Sequence, residues 1–283
     1  MNDALIVNNL SKNYSNFKLK DVSFQLPQGY IMGLIGKNGS GKTTTIRCIL
    51  NMIKRNSGEI CIFGKDNIQD ELEIKKNIGA VFDSNFFVDN WNITDVEKTV
   101  SMFYSHWNKV YFHTLLKKFH LNKNKKVKEL SKGMQMKLML ACALSYDANL
   151  LILDEPTSGL DPVSRDELLE ILADYIEDGV HSILFSTHIT EDLDKIADYI
   201  TYLNNGEVFY TGGKEEFIDL FRIVKGGPEE LSLDLKNKLE GIRTFPTGFE
   251  GLIKTQYVKD YPSLLYEPAT IDDIIIFTNK GEV

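Results

Sequence analysis

Short apolar runs closed by glycine, serine or aspartate alternate along most of this chain with stretches in which apolar residues recur every three or four positions. Residues 4–8 and 19–26 are β-prone. In the second, Val22, Phe24 and Leu26 alternate before Pro27-Gln28-Gly29 turns the chain, which predicts a piece of antiparallel sheet. Residues 30–35 are almost wholly apolar and too few for a helix, so they predict a buried parallel strand. From Thr43 to Ile53 the spacing of Ile46, Ile49, Leu50 and Ile53 predicts a helix. Residues 78–82, 150–153 and 182–186 are further buried strands with helices between and after them. Residues 92–145 are helical, aromatic and lysine-rich with no strong strand. Residues 199–213 place Asn205-Gly206 between two β-prone runs, a hairpin pattern. Beyond 214 the pattern weakens and Gly226-Gly227-Pro228 breaks it, while Thr270 reads as a cap before a short helix.

Strands alternating with helices predict an α/β core around a parallel sheet. An antiparallel β subdomain precedes it, a helical insertion at 86–145 interrupts it, and a small C-terminal α/β extension follows. The expected domains are 1–213 and 214–283. No internal repeat or low-complexity tract is present.

Composition narrows the class. The chain is 43% apolar and carries 40 acidic against 32 basic residues, net −8, a balance that argues against nucleic acid as a partner. Cys48, Cys61 and Cys142 are scattered without metal-ligand spacing and are expected to be reduced. No run approaches the roughly 18–20 apolar residues of a membrane span, and the N-terminus has neither a basic segment nor a long apolar one. A cytoplasmic protein is expected, any membrane work being done through a partner.

Gly36-Lys37-Asn38-Gly39-Ser40-Gly41-Lys42-Thr43, between a strand and a helix, has the phosphate-loop pattern. Its glycines let successive backbone N–H groups face phosphate oxygens, and the helix N-terminus adds positive potential. Lys42 would reach the β- and γ-phosphates, and the Thr43 hydroxyl would ligate Mg²⁺. Downstream, four apolar residues end in Asp154-Glu155-Pro156. They would carry two carboxylates to the ligand edge of the sheet. Asp154 would hold Mg²⁺ through water, and Glu155 would polarise the attacking water as a general base or an orienting group.

Leu130-Ser131-Lys132-Gly133-Met134-Gln135 resembles the signature of the ATP-binding cassette family, Ser158-Gly159-Leu160-Asp161 its D-loop, and Ser186-Thr187-His188 its switch histidine. Tyr14 is similar to the aromatic on which adenine stacks. All occur in family order over residues 4–213. The resemblance implies a P-loop NTPase fold, hydrolysis of ATP with Mg²⁺, and ATP held by Tyr14, residues 36–43 and Thr44. It also implies a head-to-tail pair of nucleotide-binding subunits, homo- or heterodimeric. Ser131 and Gly133 of one subunit would contact the γ-phosphate on the other, His188 would touch it, and Asp161 would communicate across the interface. A separate permease would tie the pair to the inner face of the membrane. Asp83 stands where the family's Q-loop glutamine is expected. A carboxylate can ligate Mg²⁺, but it cannot donate a hydrogen bond when ionised. The aromatic segment 84–91 is the expected permease contact.

Long coiled coils are missing between the phosphate loop and the signature, about 90 residues apart, which argues against the chromosome-maintenance cassettes. The alternative to a transport subunit is a lone cassette ATPase acting on the ribosome or as a regulator. Asp83, the Lys-Gly-Met signature and the tail resemble a bacterial subgroup that includes bacitracin-type resistance and phenol-soluble peptide exporters. Export of a peptide, antibiotic or lipid-like molecule is the implied task.

Overall fold

Alternation decides the first sheet. In β1 (Asp3–Asn13) and β2 (Lys18–Pro27), paired antiparallel, Leu5, Val7 and Leu10 face Leu19, Val22, Phe24 and Leu26 in a buried layer. Both strands outrun their predicted spans, because pairing extends β-structure past the residues whose side chains demand it. The chain then passes through β3 (Ile31–Ile35) and α1 (Lys42–Ile49). It returns to the first sheet in β4 (Ser57–Ile62) and β5 (Lys65–Asp66), giving the strand order β2-β1-β4-β5. Helix α1 stops at Ile49, short of the predicted Ile53. Asn51 takes a left-handed φ of 51° there, and the buried Asn67 amide donates to the carbonyls of Cys48 and Ile49, both at 2.9 Å. The structure is a computed structural model and describes residues 2–279.

Next come α2 (Glu71–Lys76) and β6 (Ile78–Val81), then the helices of the insertion, α3 (Ile93–Val100), α4 (Lys109–Lys118) and α5 (Lys132–Leu144). Asn92, Asn108 and Ser131 cap their N-termini with side-chain oxygens. The core resumes with β7 (Leu150–Asp154), α6 (Pro162–Tyr175), β8 (Ser182–Thr187), α7 (Thr190–Ile196), β9 (Tyr199–Asn204) and β10 (Glu207–Gly213). The second sheet has the order β10-β9-β3-β8-β7-β6. Its pairings β9/β3, β3/β8, β8/β7 and β7/β6 are parallel. Every residue of β3, β7 and β8 is buried, as a sheet covered on both faces requires. This order lays β3, β8 and β7 side by side, so their carboxyl ends open on one edge. The glycine loop, His188 and the Asp154-Glu155 pair leave the sheet there.

The first compact unit ends at Val208 and the second begins at Phe209. The second contains α8 (Lys214–Asp219), β11 (Phe221–Gly226), α9 (Leu233–Lys238), β12 (Leu239–Phe245), β13 (Gly248–Lys254), β14 (Leu265–Pro268) and α10 (Ile271–Thr278). Its antiparallel sheet, ordered β12-β13-β11-β14, has a core of its own around Val224, Leu235, Phe249 and Ile253. Thr270 and Asp273 close a capping box at the start of α10, which buries Ile271, Ile274 and Phe277. Among the described residues no helix is long and apolar enough to cross a membrane, and the three cysteines are free.

Candidate functional site

The glycine loop wraps so tightly that side chains are excluded at its two ends. A Cβ on Gly36, φ 147°, would lie 2.3 Å from the Leu203 carbonyl oxygen, and one on Gly41, φ 114°, 2.7 Å from Leu19. Gly41 opens α1, whose first turn holds no acidic residue and whose N-terminus no side chain caps. That leaves a helix end suited to an anion. Lys42 is buried, and its ammonium donates to the Gly36 carbonyl oxygen at 2.7 Å and lies 3.5 Å from Glu155 Oε1. A buried cation needs such partners. Ser40 Oγ, also in the loop, is buried without a partner.

At the end of β7, Asp154 is buried and accepts from Ser186 Oγ at 2.5 Å. Glu155 follows in the left-handed region, φ 55°, a conformation that costs a non-glycine residue about 1–2 kcal/mol. Its N–H holds it there, donating to the Ser186 carbonyl at 3.0 Å and to Ser186 Oγ at 3.2 Å. The backbone reversal carries the Glu155 carboxylate back over the sheet edge, where Oε2 meets His188 Nδ1 at 2.6 Å. One carboxylate thus touches both the loop lysine and the histidine. Behind this pair Asp192, fully buried on α7, accepts from Thr157 Oγ1 at 2.7 Å and from Arg165 of α6. The loop after β7 is thereby tied to the element after β8.

Asn38, Gly39, Gly41, Lys42, Thr43, Thr44, Asp83, Glu155 and His188 line one cavity of about 620 Å³. Gly36, Lys37 and Ser40 belong to the same loop without lining it, and Asp154 is buried beside Glu155 in sequence. The structure does not bring the remaining expected residues to this cavity. Tyr14 is 45% exposed with the Lys12 ammonium 5.3 Å from its ring centroid, and the aromatic lining the cavity is Phe17. Ser131 Oγ accepts from the Met134 N–H at 3.2 Å as the cap of α5. Gly133 packs so closely on Leu160 that a Cβ would lie 3.0 Å from it. Asp161 caps α6 by accepting from the Ser164 N–H at 3.0 Å, which lowers its carboxyl below the usual carboxylate range. Besides Phe17, sequence reasoning missed Asn16, and it named Ser158 and Lys132 within the D-loop and signature without assigning them to the cavity they line. A larger hollow of about 790 Å³ around His106, Asp174 and His181 contains none of the motif residues. Phosphate loop, acidic strand end and histidine converge in the smaller one.

Residues 19–158 match the model of the ABC transporter family. The ATP-binding protein BcrA of bacitracin transport in Bacillus licheniformis is 31% identical over 74% of this chain and 69% of its own length. The chain is a member of the ABC transporter family. It is an ATPase, with a P-loop NTPase fold. The ABC transporter ATP-binding protein YtrB of Bacillus subtilis is 33% identical over 68% of the cassette chain and 66% of its own length. A solved ATP-binding subunit of an ABC transporter superposes with a TM-score of 0.69 at 28% identity, covering 75% of this chain and 91% of that one.

Proposed function

We propose that the chain powers a separate membrane permease, and that two cassette subunits close head to tail on two ATP molecules to do so. One observation carries this reading. Lys42, Thr43, Glu155 and His188 converge on a cavity that the chain's own Ser131 and Gly133 do not line, although Lys132 between them does; the signature serine and glycine are thus left for the phosphate of a second subunit. Lys42 and the loop N–H groups hold the phosphates. Glu155 orients or deprotonates the attacking water, and His188, bonded to Glu155, faces the γ-phosphate. Mg²⁺ fits the oxygen donors present, the Thr43 hydroxyl with the Asp154 and Asp83 carboxylates. The described residues hold no group of three or more His, Cys, Asp or Glu able to bind a metal. The Thr43 hydroxyl and the Asp83 carboxylate on the cavity wall, with the buried Asp154 acting through water, would hold the ion together with nucleotide phosphates, and it would supply charge stabilisation of the phosphoryl oxygens.

The permease contact is segment 84–91. Phe86 and Val88 are exposed there, beside a cleft of about 360 Å³ lined by aromatic and aliphatic side chains such as Phe82, Phe103 and Met139, with no charged residue. The pair of cassettes sits on the cytoplasmic face of the membrane through this contact. Export of a peptide, antibiotic or lipid-like molecule is the proposed task, in line with the likeness to a bacitracin transport protein. Ser131→Arg tests the head-to-tail arrangement. Nucleotide affinity of the dilute chain should stay within about twofold while turnover falls at least about 100-fold, the scale of losing a preorganised contact to a transferring phosphoryl group. Unchanged turnover would sink the reading.

A further inference from the structure

Gln135, one position beyond the signature on α5, uses both ends of its carboxamide. Its Oε1 accepts from Asn85 Nδ2 at 2.9 Å, and its Nε2 donates to the carbonyls of Val127 at 3.2 Å and Leu130 at 3.4 Å. Asn85 in turn accepts from the Phe87 N–H at 2.7 Å. The two stretches meeting at this amide are laced together farther along. The Lys128 N–H donates to the Asp89 carbonyl at 3.1 Å and the Val127 N–H to that of Trp91 at 2.8 Å, and Asn92 and Lys126 form an antiparallel bridge. Residues 85–92 and 126–135 are therefore held as one body, with Gln135 closing the end nearest the signature.

We infer that Gln135, through Asn85, is the positioning residue that transmits the state of the chain's own nucleotide cavity to its signature. Asp83 lines the cavity, and Asn85 lies two residues further on. A displacement of Asp83 moves Asn85, which pulls on Gln135. Gln135 holds the carbonyl of Leu130, immediately before the Ser131 cap. The same rigid body includes the segment assigned to the permease. The linear sequence separates these stations by dozens of residues, and the amide brings them within hydrogen-bond distance.

The inference rests on the head-to-tail reading, and the test keeps the two apart. Asn85→Ala, Gln135→Ala and the double variant are made in the full-length chain. Steady-state ATP hydrolysis is measured, and in a Glu155→Gln background so is ATP-driven self-association by sedimentation equilibrium. Nucleotide affinity of the dilute chain is followed with a fluorescent ATP analogue. Each single variant should lower kcat about tenfold and weaken association about tenfold, the scale of one strained or lost hydrogen bond. Affinity of the dilute chain should stay within about twofold, and the double variant should be no worse than either single one, because both remove the same contact. Additive losses, or single variants that leave kcat and association unchanged, would overturn the inference. A fall in dilute-chain affinity would overturn it too, making the pair a support of the cavity itself. Asn85→Ala, on a half-buried loop, carries the test alone if Gln135→Ala fails to fold. Failure of the underlying reading has a different signature: Lys42→Ala retaining nucleotide affinity, or Ser131→Arg retaining turnover.

Discussion

At the scale of single residues, the chemistry depends on a backbone conformation as much as on a side chain. Glu155 is held in the left-handed region by two hydrogen bonds from its N–H, and that turn sets its carboxylate between Lys42 and His188. Glu155→Gln keeps the size and the turn while removing the negative charge. Turnover should fall at least about 100-fold, within the range of losing a general base, while ATP remains bound and an ATP-dependent dimer accumulates on size-exclusion chromatography. Hydrolysis at the parent rate would take Glu155 out of the catalytic role. The glycine loop and Asp154-Glu155 were legible in the sequence because their chemistry forces both residue type and spacing. Phe17 and Lys132 were not. Nothing in the linear order says which of two nearby aromatics faces inward, or that a lysine on the signature helix extends to the same cavity.

Elements show where periodicity informs and where it stops. The buried strands were legible since both faces of the central sheet are covered and their residues are apolar throughout. The end of α1 was not, because Ile53 continues the helical spacing while the stop signal comes from Asn67, across the hairpin of β4 and β5. Asn67 is 2% exposed and joins the last carbonyls of α1 to Arg55, whose Nη1 donates to its Oδ1 at 2.7 Å. Asn67→Ala takes the side-chain donor from the Ile49 carbonyl and leaves that of Cys48 only the Asn51 N–H at 3.1 Å, at about 1–3 kcal/mol for a buried group that loses its partner. Denaturant melts should show this loss. Since α1 carries the phosphate loop at its other end, nucleotide titration should show weaker binding as well. A variant as stable as the parent would mean that the last turn of α1 finds other partners.

For the whole molecule, the division into two units with separate cores predicts separable damage. Phe277 on α10 is 1% exposed, its backbone pressed so closely on β12 that a Cβ on Gly241 would lie 2.1 Å from the Phe277 carbonyl oxygen. Phe277→Ala should cost the second unit about 3–5 kcal/mol. Hydrogen exchange should quicken in peptides from β11 to β13 and leave those of the glycine loop as they were; uniform quickening would mean that the units unfold together. The order of motifs along the chain made the first unit legible as a family member, whereas the second carries no nucleotide motif and offered only its capped final helix and a resemblance of its tail, at 220–227, 248–253 and 268–273, to a bacterial exporter subgroup.

The lacing of residues 85–92 to 126–135 has a spectroscopic consequence. The chain has 2 tryptophans, Trp91 and Trp107. The first accepts, through its carbonyl, one of the lacing hydrogen bonds; the second stacks at a tilt on Phe112, ring centroids 5.1 Å apart. Both belong to the helical insertion, and the second unit has none. Indole emission from the unmodified protein is therefore a local signal, reporting the segments proposed to join cavity, signature and permease contact.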